Sequence, residues 1–454
     1  MDQLISELTA ALGAGGVITD IDSVAGGWSR VGKPCAILRP RSTNEVSAVL
    51  RLAHAAGAPI VPWGGKTGLV DGANAEGQLA LSLELMNRVE AVDVEASTLT
   101  VQAGCPLQTA CEAAEARHLF LPLDLGSRGS ATIGGNISTN AGGNRVLRYG
   151  MVREMVLGLE AVLADGTVVS AMSPLIKNNT GYDLKQLFIG AEGTLGVVTR
   201  ATLRLRPQPL SQDVAVLGVE RFEQLPRLLR HLEARLGGAL SAFEVMWASF
   251  HDLVTTAPAK GRPPLDGRYP YYVLVETLGA DPEADRARLE AALEAGLAED
   301  LIADAALAGS EAQRQALWAL RDDVAQVARN GPIITFDVSL AISAMESYVA
   351  ELEAVLQTKW SGISLVVFGH LGDGNLHLIV GLPGAEARHA IEEVVYGLLR
   401  ARDGSISAEH GIGLQKREFL ALSRSPAEIA VMRTLKAALD PKSILNPGKI
   451  FAVA

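Results

Sequence analysis

The chain has 454 residues, 48 % hydrophobic and 20 % charged, a balance that builds packed cores and excludes a disordered chain. Single cores seldom grow past about 250–300 residues, so two domains are expected. Forty basic against 51 acidic residues leave a net charge of −11, which argues against a polyanion such as nucleic acid as partner. The start, Met1-Asp2-Gln3-Leu4, lacks the basic flank and apolar run of a secretory signal, and no stretch is apolar for long enough to span a bilayer, so a soluble protein is expected. Cys35, Cys105 and Cys111 form no CxxC pair, which fits a reducing cytoplasm.

In chain order, 36–38 reads as a strand. Ser42 and Glu45 then form a capping-box pair before a helix with Val46, Val49, Leu50 and Ala53 on one face; Gly57 stops it, and 59–62 is the next strand. Directly after it comes Trp63-Gly64-Gly65-Lys66-Thr67-Gly68-Leu69-Val70-Asp71-Gly72. Glycines let successive backbone N–H groups face one anion, so a strand followed by such a loop is a plausible pyrophosphate cradle, although it is neither the GxGxxG nor the Walker pattern. Strands at 79–83 and 99–103 and a helix at 106–118 follow. The stretches 121–127 and 131–144 are small, polar and nearly uncharged, which suggests loops folded around a large polar ligand. A hairpin joins 156–164 and 167–170 through Asp165-Gly166. The near alternation over 195–205 suggests a half-buried strand of a mixed sheet.

Three of the eight histidines fall in Gly369-His370-Leu371-Gly372-Asp373-Gly374-Asn375-Leu376-His377 and Ser407-Ala408-Glu409-His410-Gly411-Ile412-Gly413. Either motif alone fits a tight turn around a hydrogen-bonded histidine. Together they suit a catalytic zinc with three protein ligands, His370, His377 and Glu409, and an open position, leaving His410 beside the metal as a base. A His/His/Glu set also suits Mn²⁺ or Co²⁺. Asn375, between the histidines, either holds the loop or touches the substrate.

Through the stretches 122–143 and 181–199, the two histidine motifs and Leu445-Asn446-Pro447-Gly448-Lys449, the sequence resembles the flavin-dependent D-2-hydroxy-acid dehydrogenases. These include D-2-hydroxyglutarate dehydrogenase, flavin D-lactate dehydrogenases and the glycolate oxidase flavin subunit. The resemblance, from about residue 34 to 450, implies an α+β fold: a vanillyl-alcohol oxidase / p-cresol methylhydroxylase-type FAD-binding domain over 1–206, an α+β substrate-binding cap over 207–404, and a segment 405–454 returning to the FAD domain. It implies that Pro62, Gly64, Gly65, Lys66, Thr67, Gly68 and Leu69 hold the FAD pyrophosphate. Pro122, Asp124, Thr132, Gly135, Asn136, Ser138, Asn140, Gly142 and Gly143 would continue along the phosphates toward the flavin. Gly193 and Val198 would meet the adenine half, and Asn446 the isoalloxazine ring. Lys66 stands where some members carry a flavin-linking histidine, so non-covalent FAD is expected.

In the second half, helices are expected around 281–298 and 310–330 and strands near 271–276, 333–340 and 364–368. The resemblance makes Arg321 the substrate-carboxylate residue and the product a 2-oxo acid. The metal would lower the pKa of the substrate hydroxyl, and His410, whose imidazole ordinarily titrates near ~6.5, would take the proton. Thr335-Phe336-Asp337, Ala325 and Ile379 depart from the hydroxyglutarate enzymes, which carry a lysine, a threonine and an asparagine at the corresponding places. A shorter or more apolar substrate such as D-lactate or D-malate thus stands beside D-2-hydroxyglutarate. No nicotinamide fingerprint is present, so the expected acceptor is an electron-transfer flavoprotein, quinone or cytochrome, and a cytoplasmic homodimer is the expected form. Alternatives are an O₂-using flavin oxidase, the flavin subunit of a larger glycolate- or lactate-oxidising complex and, from a different class, a zinc hydrolase.

Overall fold

Ser42 opens the first long helix, Thr43–Ala56: its side chain accepts the N–H of Glu45 at 3.2 Å, while the Glu45 carboxylate reaches back to the N–H of Arg41. The box is thus displaced by one residue from its usual reciprocal form. Gly57, at φ 62°, ends the helix in the left-handed conformation that glycine adopts without a Cβ penalty. Val46, Val49, Leu50 and Ala53 are buried, as their spacing requires.

The computed structural model describes residues 1–24 and 30–452. The chain forms two compact units, the first of Met1–Gly143, Gly150–Gln208 and Glu409–Ala454, the second of Asn144–Tyr149 and Pro209–Ala408. The first unit holds two sheets. One has four strands in the order Val17–Ile18, Ala36–Leu38, Leu79–Ser82, Ile60–Trp63, parallel except at the first pair. Ile37, Val61, Trp63 and Ala80 form its buried cluster. The other is a five-stranded antiparallel sheet in the order Val89–Asp93, Thr98–Gln102, Val197–Arg204, Val156–Val162, Val168–Ala171. The sequence suggested a mixed sheet and a half-buried strand at 195–205; the sheet is antiparallel throughout, and Val197–Arg204 is buried on both faces. Residues 131–144 also differ from the loop expectation, because Ile133–Thr139 is helical, with the Thr132 side chain accepting the Gly135 N–H. Packing overrides low propensity there: a Cβ on Gly134 would lie 2.6 Å from that of Ala103.

The second unit is built on a seven-stranded antiparallel sheet ordered Asp304–Leu307, Ser211–Val219, Tyr271–Gly279, Leu240–Trp247, Leu365–Gly369, Asn375–Gly381, Ile333–Ser339. Val216, Met246, Phe250, Leu274, Phe368 and Ile379 belong to one core cluster. The helix expected at 310–330 ends at Asp322: Asp323 leaves helical geometry at ψ 48°, and a 3₁₀ turn, Val324–Asn330, follows. That break leaves Arg321 in the last turn of the helix Glu311–Asp322. Asn144–Tyr149 joins this unit through Arg145, which pairs with the fully buried Glu276 at 2.9 Å. Among the described residues no helix is long and apolar enough to cross a membrane.

Candidate active site

In the first unit the strand Ile60–Trp63 delivers the chain into the first glycine loop. A Cβ on Gly64 would lie 2.5 Å from Thr132 Oγ1, and one on Gly65 only 2.0 Å from the Ser130 carbonyl oxygen. Glycine is therefore what lets the two glycine-rich stretches meet. Lys66 adopts φ 57° and places its ammonium 4.8 Å from the Trp63 ring centroid, a cation–π contact. The two stretches line one cavity, whose other walls include Glu192, Gly193, Val198, His410 and Asn446.

Two buried atoms on this wall have no hydrogen-bond partner, Asn136 Nδ2 and Asn446 Oδ1. Asn446 spends its own Nδ2 on the carbonyls of Gly72 and Glu192, at 3.1 and 2.7 Å. Leaving buried polar atoms unpaired costs about 1–3 kcal/mol each, so a donor and an acceptor left open on a glycine wall fit a ligand with both phosphate oxygens and ring N–H groups, as FAD has.

Glu192 organises the far wall. It is half-buried, at φ 52°, and its carboxylate accepts the backbone N–H groups of Ile412 and Gly413 at 2.7 and 2.8 Å. Desolvation raises its pKa; the two N–H bonds and nearby Lys416 oppose that shift. The turn that follows His410 is thereby held from a residue 220 positions away. Glu409, one residue earlier, accepts the Gly143 N–H at 2.9 Å.

In the second unit a buried carboxylate joins two of the expected site residues. Glu244, on the strand Leu240–Trp247, accepts from Arg321 Nε at 2.7 Å and pairs with His370 Nδ1 at 2.6 Å. Arg321 Nη2 lies 3.3 Å from His370 Nε2, and its guanidinium sits 4.9 Å from the Phe368 ring centroid. Burial alone would raise the Glu244 pKa, but its hydrogen-bonded contacts with His370 and the Arg321 guanidinium outweigh it and hold it below the ordinary carboxylate range. The rings of His370 and His377 stand edge to face, 5.3 Å apart. Asp337, fully buried, accepts from Asn375 Nδ2 at 2.9 Å and from the Ala408 N–H at 3.1 Å, and lies 3.8 Å from His377 Nδ1. Asn375 thus holds its loop through Nδ2, while its buried Oδ1 has no partner.

Of the residues expected at the cofactor, Pro62, Gly64 through Gly68, Thr132, Gly135, Asn136, Ser138, Gly193, Val198 and Asn446 line the cavity. Leu69, Pro122, Asp124, Asn140, Gly142 and Gly143 do not. Leu69 is exposed, Asp124 pairs with Arg128 at 3.3 Å, and Asn140 caps the helix Ile133–Thr139 at φ 49°. Arg321, His370, His377 and Asn375 lie in the second unit; Glu409 and His410 open the last segment of the first. Glu192 and Glu244 escape sequence reasoning. Their one signal is a lone carboxylate, between glycines in one case and in the apolar run Ala242-Phe243-Glu244-Val245-Met246 in the other.

Comparison with known proteins gives the family. Residues 34–171 match a family model described as an FAD binding domain, and residues 208–450 match the C-terminal domain of FAD linked oxidases. Together they define an FAD-dependent oxidoreductase. A mitochondrial D-2-hydroxyglutarate dehydrogenase of Bos taurus is 43 % identical over 445 residues, 96 % of this chain and 81 % of that protein. D-2-hydroxyglutarate dehydrogenases of Xanthomonas citri pv. viticola and Stutzerimonas stutzeri are 41 % and 37 % identical, over 95 % and 99 % of this chain and 93 % and 99 % of theirs. The chain belongs to the FAD-linked oxidases, in the family of the D-2-hydroxyglutarate dehydrogenases. Its fold is that of p-cresol methylhydroxylase, with a TM-score of 0.80 at 17 % identity over 99 % of this chain and 97 % of that one.

Proposed function

We propose that this FAD-dependent D-2-hydroxy-acid dehydrogenase takes D-2-hydroxyglutarate, the acid in its relatives' names, to the 2-oxo acid with the help of a metal ion. The observation that carries the reading is the Glu244–Arg321–His370 cluster, which holds a guanidinium beside an imidazole with its Nδ1 bound to a carboxylate. His370, His377 and Glu409 are the proposed metal ligands, and a His370 whose Nδ1–H is donated away keeps Nε2 as the lone-pair atom. FAD is held without a covalent bond along the glycine cavity. Bound FAD supplies the two-electron acceptor, and bound Zn²⁺, Mn²⁺ or Co²⁺ the Lewis acid for the substrate oxygens.

The chain's own residues supply the rest. Arg321 binds the substrate carboxylate in a charge-assisted pair. His410 accepts the proton of the C2 hydroxyl, held in place by the Glu192-anchored turn behind it. Asn375 Oδ1 offers a buried acceptor toward the same reaction. Electrons leave to a non-nicotinamide acceptor such as an electron-transfer flavoprotein, quinone or cytochrome, and the enzyme works as a cytoplasmic homodimer.

A second substrate reading is favoured by one observation: Ile379 is buried in the apolar cluster with Phe368, and its register partner is the uncharged Thr335. Neither offers a charge for a distal carboxylate. Anaerobic flavin bleaching across D-2-hydroxyglutarate, D-lactate, D-malate and an apolar D-2-hydroxy acid, each against its L isomer and with chelator, tests the whole reading. Fastest bleaching by D-2-hydroxyglutarate, lost on chelation, supports it; a preference for the apolar acid moves the substrate, and bleaching unaffected by chelator removes the metal.

A further inference from the structure

We infer that Glu244 is a positioning residue for this reaction: it sets the tautomer of His370 and the orientation of Arg321 with one buried carboxylate. The inference rests on the metal and substrate roles proposed above for those two residues.

The geometry allows only one proton arrangement. Glu244 is 1 % exposed, with one oxygen on Arg321 Nε. Arg321 cannot accept a hydrogen bond, so at 3.3 Å its Nη2 donates to His370 Nε2, which must hold the lone pair. The ring proton of a neutral His370 is then on Nδ1, 2.6 Å from Glu244 Oε1. Both contacts select the Nδ1–H tautomer, the form whose lone pair on Nε2 suits a metal.

The same carboxylate fixes the guanidinium. Oε2 takes Arg321 Nε at 2.7 Å, on the edge of the guanidinium that Nε shares with one terminal nitrogen, and the Phe368 ring centroid lies 4.9 Å from its central carbon. A side chain held by Nε and stacked by its plane keeps its terminal N–H groups in one direction. When Nε2 of His370 is given to a metal, Nη2 must release it, and the guanidinium then has a donor to spare for a carboxylate while Glu244 still holds Nε. Metal loading and substrate-carboxylate binding are coupled through this residue.

Glu244→Gln tests this, because the two variants differ in hydrogen-bond logic and hardly in size. An amide that accepts from Arg321 Nε with its oxygen turns its NH₂ toward His370 Nδ1, which forces the proton onto Nε2 and blocks the lone pair. The expected result is a 10- to 100-fold weaker Zn²⁺ affinity by chelator competition, a raised KM for the D-2-hydroxy acid beyond the change in kcat, and wild-type flavin content. Wild-type Zn²⁺ affinity and KM in a flavin-loaded Glu244→Gln protein would overturn the inference. Should that variant fail to fold, ¹⁵N-resolved imidazole spectra of metal-free wild-type protein still decide: His370 protonated on Nδ1 supports the assignment, and protonation on Nε2 sinks it. His377→Ala separates the two readings. If wild-type protein binds no Zn²⁺ and His377→Ala keeps full kcat, the metal reading fails and takes this inference with it; if only Glu244→Gln is silent, the metal reading stands.

Discussion

The backbone N–H of Gly143 donates to Oε1 of Glu409 at 2.9 Å, joining the end of the second glycine stretch to the acid proposed as a metal ligand, 266 residues further on. Gly143 sits at φ 124°, and a Cβ there would lie 2.0 Å from the Asp124 carbonyl oxygen, so no other residue fits without moving this backbone. Because Gly143 does not line the glycine-rich cavity proposed for FAD, Gly143→Ala should weaken Zn²⁺ binding while the purified protein keeps its flavin. Metal analysis and the visible spectrum of one preparation read both; lost flavin with intact metal would reverse the assignment.

His410→Asn should lower kcat by about 10²–10⁴-fold, the usual contribution of a general base, with flavin and metal content unchanged. Rapid-mixing measurement of flavin reduction isolates the step. Reduction at the wild-type rate would assign the proton to another group.

Asn446→Ala removes two hydrogen bonds to loop carbonyls and the open acceptor on the cavity wall. At about 0.5–1.5 kcal/mol each, FAD affinity should fall roughly 10- to 100-fold. Titration of deflavinated protein with FAD, followed by flavin fluorescence, gives the number, and an unchanged dissociation constant would place Asn446 outside FAD binding.

His251 gives a pH dependence of stability separate from the chemistry. Its ring is 3 % exposed, stacks on Tyr272 at 3.5 Å and 5°, and neither nitrogen has a hydrogen-bond partner. Burial lowers its pKa to about 4, with Arg268 adding to the shift and Asp252 opposing it. The folded state thus refuses a proton that the unfolded chain takes near pH ~6.5, so the stability is full above that value and is lost as the pH falls toward 4. In denaturant titrations, His251→Phe, which keeps the stack, should lose a few kcal/mol less than the wild type between pH 6.5 and 4. Parallel curves for the two proteins would rule this out.

The local parts of the site were readable from the sequence because their information is local. The strand-then-glycine pattern at 60–68 needs only neighbouring residues to define it, and Pro62 through Gly68 line the cavity. Glu192 and Glu244 were not readable because a carboxylate acquires its meaning from partners 220 and 126 residues away. The helix Ile133–Thr139 was hidden for a related reason: glycine, asparagine, serine and threonine disfavour a helix, and only the packing of Gly134 on Ala103 reverses the preference. The break at Asp323 gave no breaker residue to read, yet it fixes where Arg321 stands.

The first unit is assembled from three stretches of chain, with the last, 409–452, adding Leu445 beside Ile60 and Asn446 to the cavity wall. A ribosome must therefore finish the whole intervening unit before the flavin cradle can close. The cavity therefore stays open until residue 446 has been made, and a nascent chain halted between residues 144 and 445 carries both glycine stretches but lacks the wall that Asn446 completes.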